Sequence, residues 1–271
     1  MKKIYSHKDK NQIWRILISN SDKVILETRN INTKEVFYFC LKLETGKKIF
    51  SSLQLEEKYW VGIETVYNDL IFFHKFPKPD LPGHKEIIAF DINEQKVLWT
   101  NKDTAFLFIY DNKVYGFKQG FEERFFYAFD LMTGELSDDL GNDFETVNKL
   151  KSLADKQQNW ESYVYPKFFR KGESDNNVEK LILSQMKNLD IVGEVEYNIY
   201  QNILFFNYHI RLTEKTYINK FIAIDLYTGK KLLTEVLNKE AKSLFTDSFF
   251  VYKDFLFLLI EKNEIEVYRL T

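Results

Sequence analysis

The chain has little of what most mechanistic assignments require. One cysteine, Cys40, in 271 residues excludes an intramolecular disulfide, and with only four scattered histidines it also excludes a cysteine-rich zinc site. Ten glycines and four prolines exclude collagen-like, linker-rich and low-complexity classes. No apolar run approaches the roughly 18 residues of a membrane-spanning helix. The N-terminus, Met1-Lys2-Lys3-Ile4-Tyr5-Ser6-His7-Lys8-Asp9, carries the charges of a signal peptide without the apolar stretch that should follow, so cytoplasm is the expected location. Acidic and basic residues nearly cancel to a net charge of −2, and no basic stripe stands out, so no nucleic-acid partner is expected. Phosphate-loop, G-x-S-x-G, H-E-x-x-H and dinucleotide-binding spacings are all missing. Those chemistries depend on local spacing; a site assembled from distant segments leaves no such trace.

What is present is aromatic and repetitive. Phe and Tyr number 25 and 16, which favours strands. One signature is an apolar residue, Tyr, a polar pair and a new apolar run. It reads Val66-Tyr67-Asn68-Asp69-Leu70, Ile109-Tyr110-Asp111-Asn112-Lys113-Val114, Ile199-Tyr200-Gln201-Asn202-Ile203 and Val251-Tyr252-Lys253-Asp254-Phe255. A degenerate copy is Ser19-Asn20-Ser21-Asp22-Lys23-Val24. A polar pair between β-rich runs predicts a tight hairpin. A second signature reads Ala128-Phe129-Asp130-Leu131-Met132-Thr133-Gly134 and Ala223-Ile224-Asp225-Leu226-Tyr227-Thr228-Gly229. Weaker copies begin at Cys40 and Ala89. Cys40 shares a column with Ala89, Ala128 and Ala223, which predicts a small buried packing residue rather than a reactive thiol. The Tyr column is read as packing between repeats, because no basic residues interleave it.

Each unit holds four short strands over about 40 to 50 residues, the period of a propeller blade. These residues resemble the quinoprotein-like repeat, in which a "yALD-x-x-tG-k-x-x-W" strand pair closes each blade, with Ala89-Phe90-Asp91 through Trp99 the nearest match. The order along the whole chain is also similar to a bacterial family described only as a domain of unknown function. Both resemblances imply architecture and supply no activity.

The C-terminal Glu266-Val267-Tyr268-Arg269-Leu270-Thr271 is in phase with Ile222-Ala223-Ile224-Asp225-Leu226-Tyr227, so the last repeat lacks its outer strand. Lys2-Lys3-Ile4-Tyr5 matches the outer strands Lys47-Lys48-Ile49-Phe50 and Lys230-Lys231-Leu232-Leu233, and is expected to supply it. The reading is therefore an all-β, five-bladed β-propeller of four-stranded antiparallel blades, a single domain over residues 1–271 closed by its N-terminal strand. Asn112 and Asn202 lie 90 residues apart, about twice the usual interval. Helical spacing of Phe144, Val147, Leu150 and Leu153, and of Val178, Leu181, Ile182, Met186 and Leu189, predicts a two-helix insertion around 140–190, capped at Asn142 and Asn176. Six blades is the alternative, although neither signature recurs in the interval.

Ligand sites in propellers commonly face the central channel. The strands expected to line it, Trp14 to Ile18, Trp60 to Val66, Thr104 to Ile109, Glu194 to Ile199 and Leu244 to Val251, carry Arg15, Glu64, Thr104, Glu194, Glu196 and Asp247. Carboxylates from separate blades suit general acid–base chemistry or a bound ion, and equally suit plain solvation of a pore. A second candidate is the proline-rich loop from Phe76 to Lys85, which ends in His84 and Lys85 and is stiff enough to hold functional groups. His74 and His209 fall on strands and read as satisfied core or surface residues, and His7 as solvent exposed. No metal and no cofactor is assigned to any of these residues. The function expected is a non-catalytic module binding a protein partner or small ligand, with the insertion and Trp160 as the first partner surface to consider. The alternative is a glycosidase-like hydrolase using channel carboxylates. A quinone-cofactor dehydrogenase fits poorly, since the chain is short and offers neither export signal nor disulfide.

Overall fold

The computed structural model describes residues 1–77, 83–157 and 160–270, with Trp160 described by its backbone alone. β1 (Lys2–Lys8) precedes a first sheet of β2 (Gln12–Ile18), β3 (Lys23–Arg29), β4 (Val36–Lys42) and β5 (Lys48–Leu53). The second sheet holds β6 (Val61–Tyr67), β7 (Leu70–Lys75), β8 (Lys85–Asp91) and β9 (Lys96–Asn101). The third holds β10 (Ala105–Tyr110), β11 (Lys113–Gln119), β12 (Arg124–Asp130) and β13 (Leu136–Gly141), and α1 (Phe144–Gln157) follows it. After β14 (Tyr163–Val164), β15 (Lys167–Phe168) and α2 (Asn176–Met186), the fourth sheet holds β16 (Ile191–Tyr200), β17 (Ile203–Arg211), β18 (Tyr217–Asp225) and β19 (Lys231–Ala241). The fifth holds β20 (Phe249–Tyr252), β21 (Phe255–Ile260) and β22 (Glu264–Arg269).

One backbone contact explains why the two sequence signatures travel together. In every sheet, the last residue of the hairpin's polar pair offers its carbonyl to the apolar residue just after the third strand. Leu43 donates to Asp22, Ile92 to Asp69, Leu131 to Asn112, Leu226 to Asn202 and Leu270 to Asp254, all at 2.8–3.0 Å. The hairpin turns adopt the positive φ expected of them, at Asp22, Asn68, Asp111, Asn112, Gln201 and Lys253. The recurring Asp of the second signature caps its turn: the Asp91, Asp130 and Asp225 carboxylates each accept two following backbone N–H groups. The small column has a steric reason. Cys40, Ala89 and Ala223 are fully buried and lie opposite the large Ile25, Phe72 and Phe205 of the second strand. Burial pushes the Cys40 thiol up to about 12, so it stays a protonated packing group.

β1 pairs antiparallel with β22, from Lys2 opposite Arg269 to Lys8 opposite Glu264. The N-terminal strand therefore completes the fifth sheet, as the repeat phase predicts, and satisfies an edge that would otherwise be open. His7 is buried on this strand, contrary to the exposure expected of it.

The chain divides into two compact units, residues 9–159 and residues 1–8 with 160–271. In the first, consecutive sheets bury their faces against each other: Ile25, Tyr38 and Phe50 of the first sheet against Ile63, Ile71, Phe73 and Phe90 of the second. Phe72, Ile87 and Trp99 meet Val114 and Leu131 of the third in turn. α1 then covers the remaining face of the third sheet with Val147, Leu150 and Ala154. In the second unit, Phe205 and Phe221 of the fourth sheet pack on Phe249, Val251 and Leu256 of the fifth, and α2 covers the opposite face of the fourth with Val178 and Ile182. The helices thus use part of their apolar faces as lids on sheets, while Phe144 and Leu153 of α1 and Leu183 of α2 stay exposed.

Three further expectations are corrected. The helix caps sit one residue from those predicted: Asp143 accepts from Thr146 at α1, and Asp175 from Asn177 at α2. The fourth and fifth sheets have five strands, because the segment after α1 adds β15 to the free edge of β16 and β14 to that of β20. Residues 244–248, expected in the first strand of the last sheet, are not in a strand. Side chains of the fourth sheet hold them instead: Phe245 N donates to His209 Nε2 at 3.2 Å and Asp247 N to Glu196 Oε1 at 2.9 Å. Asp247 itself has φ of 55°, which extended strand does not permit.

Candidate metal centre on the second sheet

The β6–β7 hairpin places three polar side chains at one point. Its register runs Tyr67 opposite Leu70, Val66 opposite Ile71 and Thr65 opposite Phe72, then breaks, so that Ile63 faces Phe73 and Gly62 faces His74. Glu64 is the extra residue of this bulge, a device that re-aims a side chain out of the ladder's alternation. β8 begins at Lys85 directly after the loop, which brings His84 back over the same hairpin.

Glu64 Oε2 lies 2.7 Å from His84 Nδ1 and 2.8 Å from His74 Nδ1. The two imidazoles are stacked with centroids 3.6 Å apart and planes 7° from parallel. Phe76 stands edge-on to both. The His84 contact is a hydrogen bond. At His74 the same carboxylate oxygen stands 2.8 Å from Nδ1, while Nε2 is buried without a hydrogen-bond partner. Only His74 is fully enclosed, while Glu64 and His84 remain partly open to solvent. The three ligand-type atoms all lie within 4.8 Å of one another.

Electrostatics leave the carboxylate charged and the inner imidazole neutral. Burial pushes the Glu64 carboxyl up, but its contacts with His74 and His84 outweigh this and hold it below its ordinary value. Burial holds His74 below the usual histidine range against the opposing pull of Glu64. Among the described residues no lysine or arginine pairs with Glu64. The nearby guanidinium groups are engaged elsewhere and steady the backbone that carries it. Arg15 Nη1 donates to the Ile63 carbonyl, Glu27 accepts from Ile63 N at 3.0 Å, and Arg29 pairs with Glu27 while reaching the Val61 carbonyl. Gly62 leaves the space the inner ring occupies: a methyl there would stand 3.1 Å from His74 Nε2.

Of the residues singled out from sequence, Glu64 and His84 are brought together although they were read as belonging to separate candidates. Arg15 supports their backbone. Lys85 is exposed at the start of β8. Thr104 is buried before the third sheet with its hydroxyl unpartnered. Glu194 is an exposed ion-pair partner of Arg170 at 2.6 Å. Glu196 and Asp247 meet in the other unit, where burial raises the Glu196 carboxyl and one of its oxygens anchors the Asp247 backbone. Residues 78–82 of the proline-rich loop lie outside the described residues. His74 was missed. The signal for it was the hairpin: a tight turn at Asn68-Asp69 makes residues 64 and 74 near-neighbours across two strands, whatever the exact register.

Residues 18–99 match a family model described as a domain of unknown function (DUF4905). Among solved structures, it is similar to a europium-containing methanol dehydrogenase at 11% identity and a TM-score of 0.29, over 95% of this chain and 52% of that one. The chain thus spans about half the length of that enzyme. It is also similar to an uncharacterized protein from Listeria monocytogenes EGD-e at 13% identity and a TM-score of 0.34, over 97% and 95% of the two chains. No curated protein matches. Among the described residues no helix is long and apolar enough to cross a membrane.

Proposed function

We propose that residues 1–271 form one β-propeller-type binding module whose five sheets act as blades, with β1 closing the last, and that it holds a ligand at Glu64, His74 and His84 without transforming it. The observation that carries this reading is His74: a fully buried imidazole whose Nε2 has no hydrogen-bond partner and whose Nδ1 faces only the charged Glu64 carboxylate, 2.8 Å away. Buried polar atoms left unpaired cost about 1–3 kcal/mol, and a site selected for stability alone would hold an apolar side chain there. Polar groups that break this rule concentrate at functional sites. The repeated carbonyl contact in all five sheets supports equivalent blades. Glu196 anchors residue 247 with one carboxylate oxygen.

Urea unfolding of His74→Leu, Glu64→Gln and His84→Ala tests the reading without needing a ligand. If the cluster exists to bind, His74→Leu changes stability by less than about 0.5 kcal/mol or raises it. Losses of about 2 kcal/mol or more in all three variants would mean that the cluster is structural. A single unfolding transition, seen identically by fluorescence and far-UV circular dichroism, is expected of one domain. Two resolved transitions would overturn that part.

A further inference from the structure

We propose that Glu64 Oε2, His74 Nδ1 and His84 Nδ1 bind a divalent transition-metal ion of the zinc class, leaving a coordination position open on the solvent side. This rests on the reading of the cluster as a binding site and names its ligand. Two imidazoles and one carboxylate form a donor set suited to zinc, cobalt, nickel or iron; calcium and magnesium take oxygen donors. Three protein ligands leave a position for water or a further ligand. Bond lengths of roughly 2.0–2.2 Å place ligand atoms about 2.8–3.6 Å apart for angles between 90° and tetrahedral. The N···O separations of 2.7 and 2.8 Å need to open by a few tenths of an ångström, and the partly open His84 ring must turn out of its stack on His74 so that both Nδ1 lone pairs converge on one ion.

Three independent features agree. His74 has no exposed surface, its Nε2 has no hydrogen-bond partner and its Nδ1 faces only Glu64 Oε2 at 2.8 Å. The negative charge of Glu64 is uncompensated by any lysine or arginine among the described residues. The backbone beneath the ligands is tied down from the neighbouring sheet through Arg15, Glu27 and Arg29, the kind of outer support that fixes ligand orientation. Ligation uses the lone pair of His84 Nδ1, so the neutral ring carries its one proton on Nε2 and the hydrogen bond between Nδ1 and Glu64 is given up.

The test uses the full chain without a histidine tag, dialysed against chelator and titrated with cobalt(II) and, separately, zinc(II). One equivalent of cobalt should bind with visible d–d absorption that differs from that of the aqueous ion, and zinc should displace it. Glu64→Gln and His84→Ala, each checked for native circular dichroism, should weaken binding at least ~100-fold, and Gly62→Ala, which pushes on His74, about 10–100-fold. His209→Asn, in the other unit, should bind like the parent protein. No stoichiometric binding by the parent chain, or parent-like affinity in His84→Ala, would overturn the metal assignment. A neutral or stabilising His74→Leu would then still leave the cluster a binding site for something else, whereas a destabilising one would remove both readings.

Discussion

Gly134→Ala isolates the contact that locks the second sheet to the third. Gly134 lies at the turn after β12 with φ of 71°, and a methyl built on it would fall 2.5 Å from Trp99 Cδ2 and 2.7 Å from Cγ. Trp99 cannot easily retreat, because it is buried and its indole Nε1 donates to the Leu131 carbonyl at 3.0 Å. The substitution therefore adds a left-handed alanine, roughly 1–2 kcal/mol, to overpacking of a held aromatic, about 1–3 kcal/mol. Gly141→Ala is the control: its φ is 54° but nothing stands within 4 Å of the added methyl. Urea midpoints with an unchanged slope should show Gly134→Ala losing about 2–5 kcal/mol and Gly141→Ala about 1–2 kcal/mol. Trp99→Ala, itself costing about 3–5 kcal/mol, should abolish the excess in the double variant, because the clash is then gone. Equal losses at the two glycines, or strict additivity with Trp99→Ala, would refute the claim that this indole seats on the turn.

Asp69 receives Lys23 and Ser21 from the first sheet and Asn93 from its own. Burial raises its carboxyl, but these partners win and hold it near 2 against an ordinary 3.8. A depressed carboxyl contributes stability above its unfolded value and loses it as pH falls through its folded one. Urea midpoints should therefore drop between about pH 4 and pH 2, and Asp69→Asn should flatten that drop. An unchanged profile in the variant would refute the assignment. Deleting residues 1–8 opens the β22 edge and removes Met1 from its packing in the fifth sheet. Lower stability and concentration-dependent association by light scattering are expected, and a monomer of parent stability would show that β1 is dispensable.

The sequence by itself determined the repeating part of the fold, because that part is local. A polar pair in a two-residue turn needs positive φ, an Asp caps the turn that follows it, and a small residue must face a large one across adjacent strands. Each requirement is met within a few tens of residues and leaves a mark in every repeat, so the five hairpins, the buried Cys40, the two helices and the N-terminal strand as partner of β22 were all legible. What only the tertiary structure decided depends on groups that no pattern couples. Segment 160–168 adds strands to two sheets, and His209 and Glu196 replace a strand by holding residues 244–248. The helices turn inward onto sheets because amphipathic periodicity states that a face will be buried but not against what. The candidate centre has the same origin. Glu64 entered as a strand residue, His84 as a loop residue and His74 as a satisfied strand residue of core or surface. A single-residue bulge at Glu64, invisible to a period-two reading of β6, turns the carboxylate toward two imidazoles that the returning loop has stacked. The chemistry proposed for this chain arises from that break in the repeat.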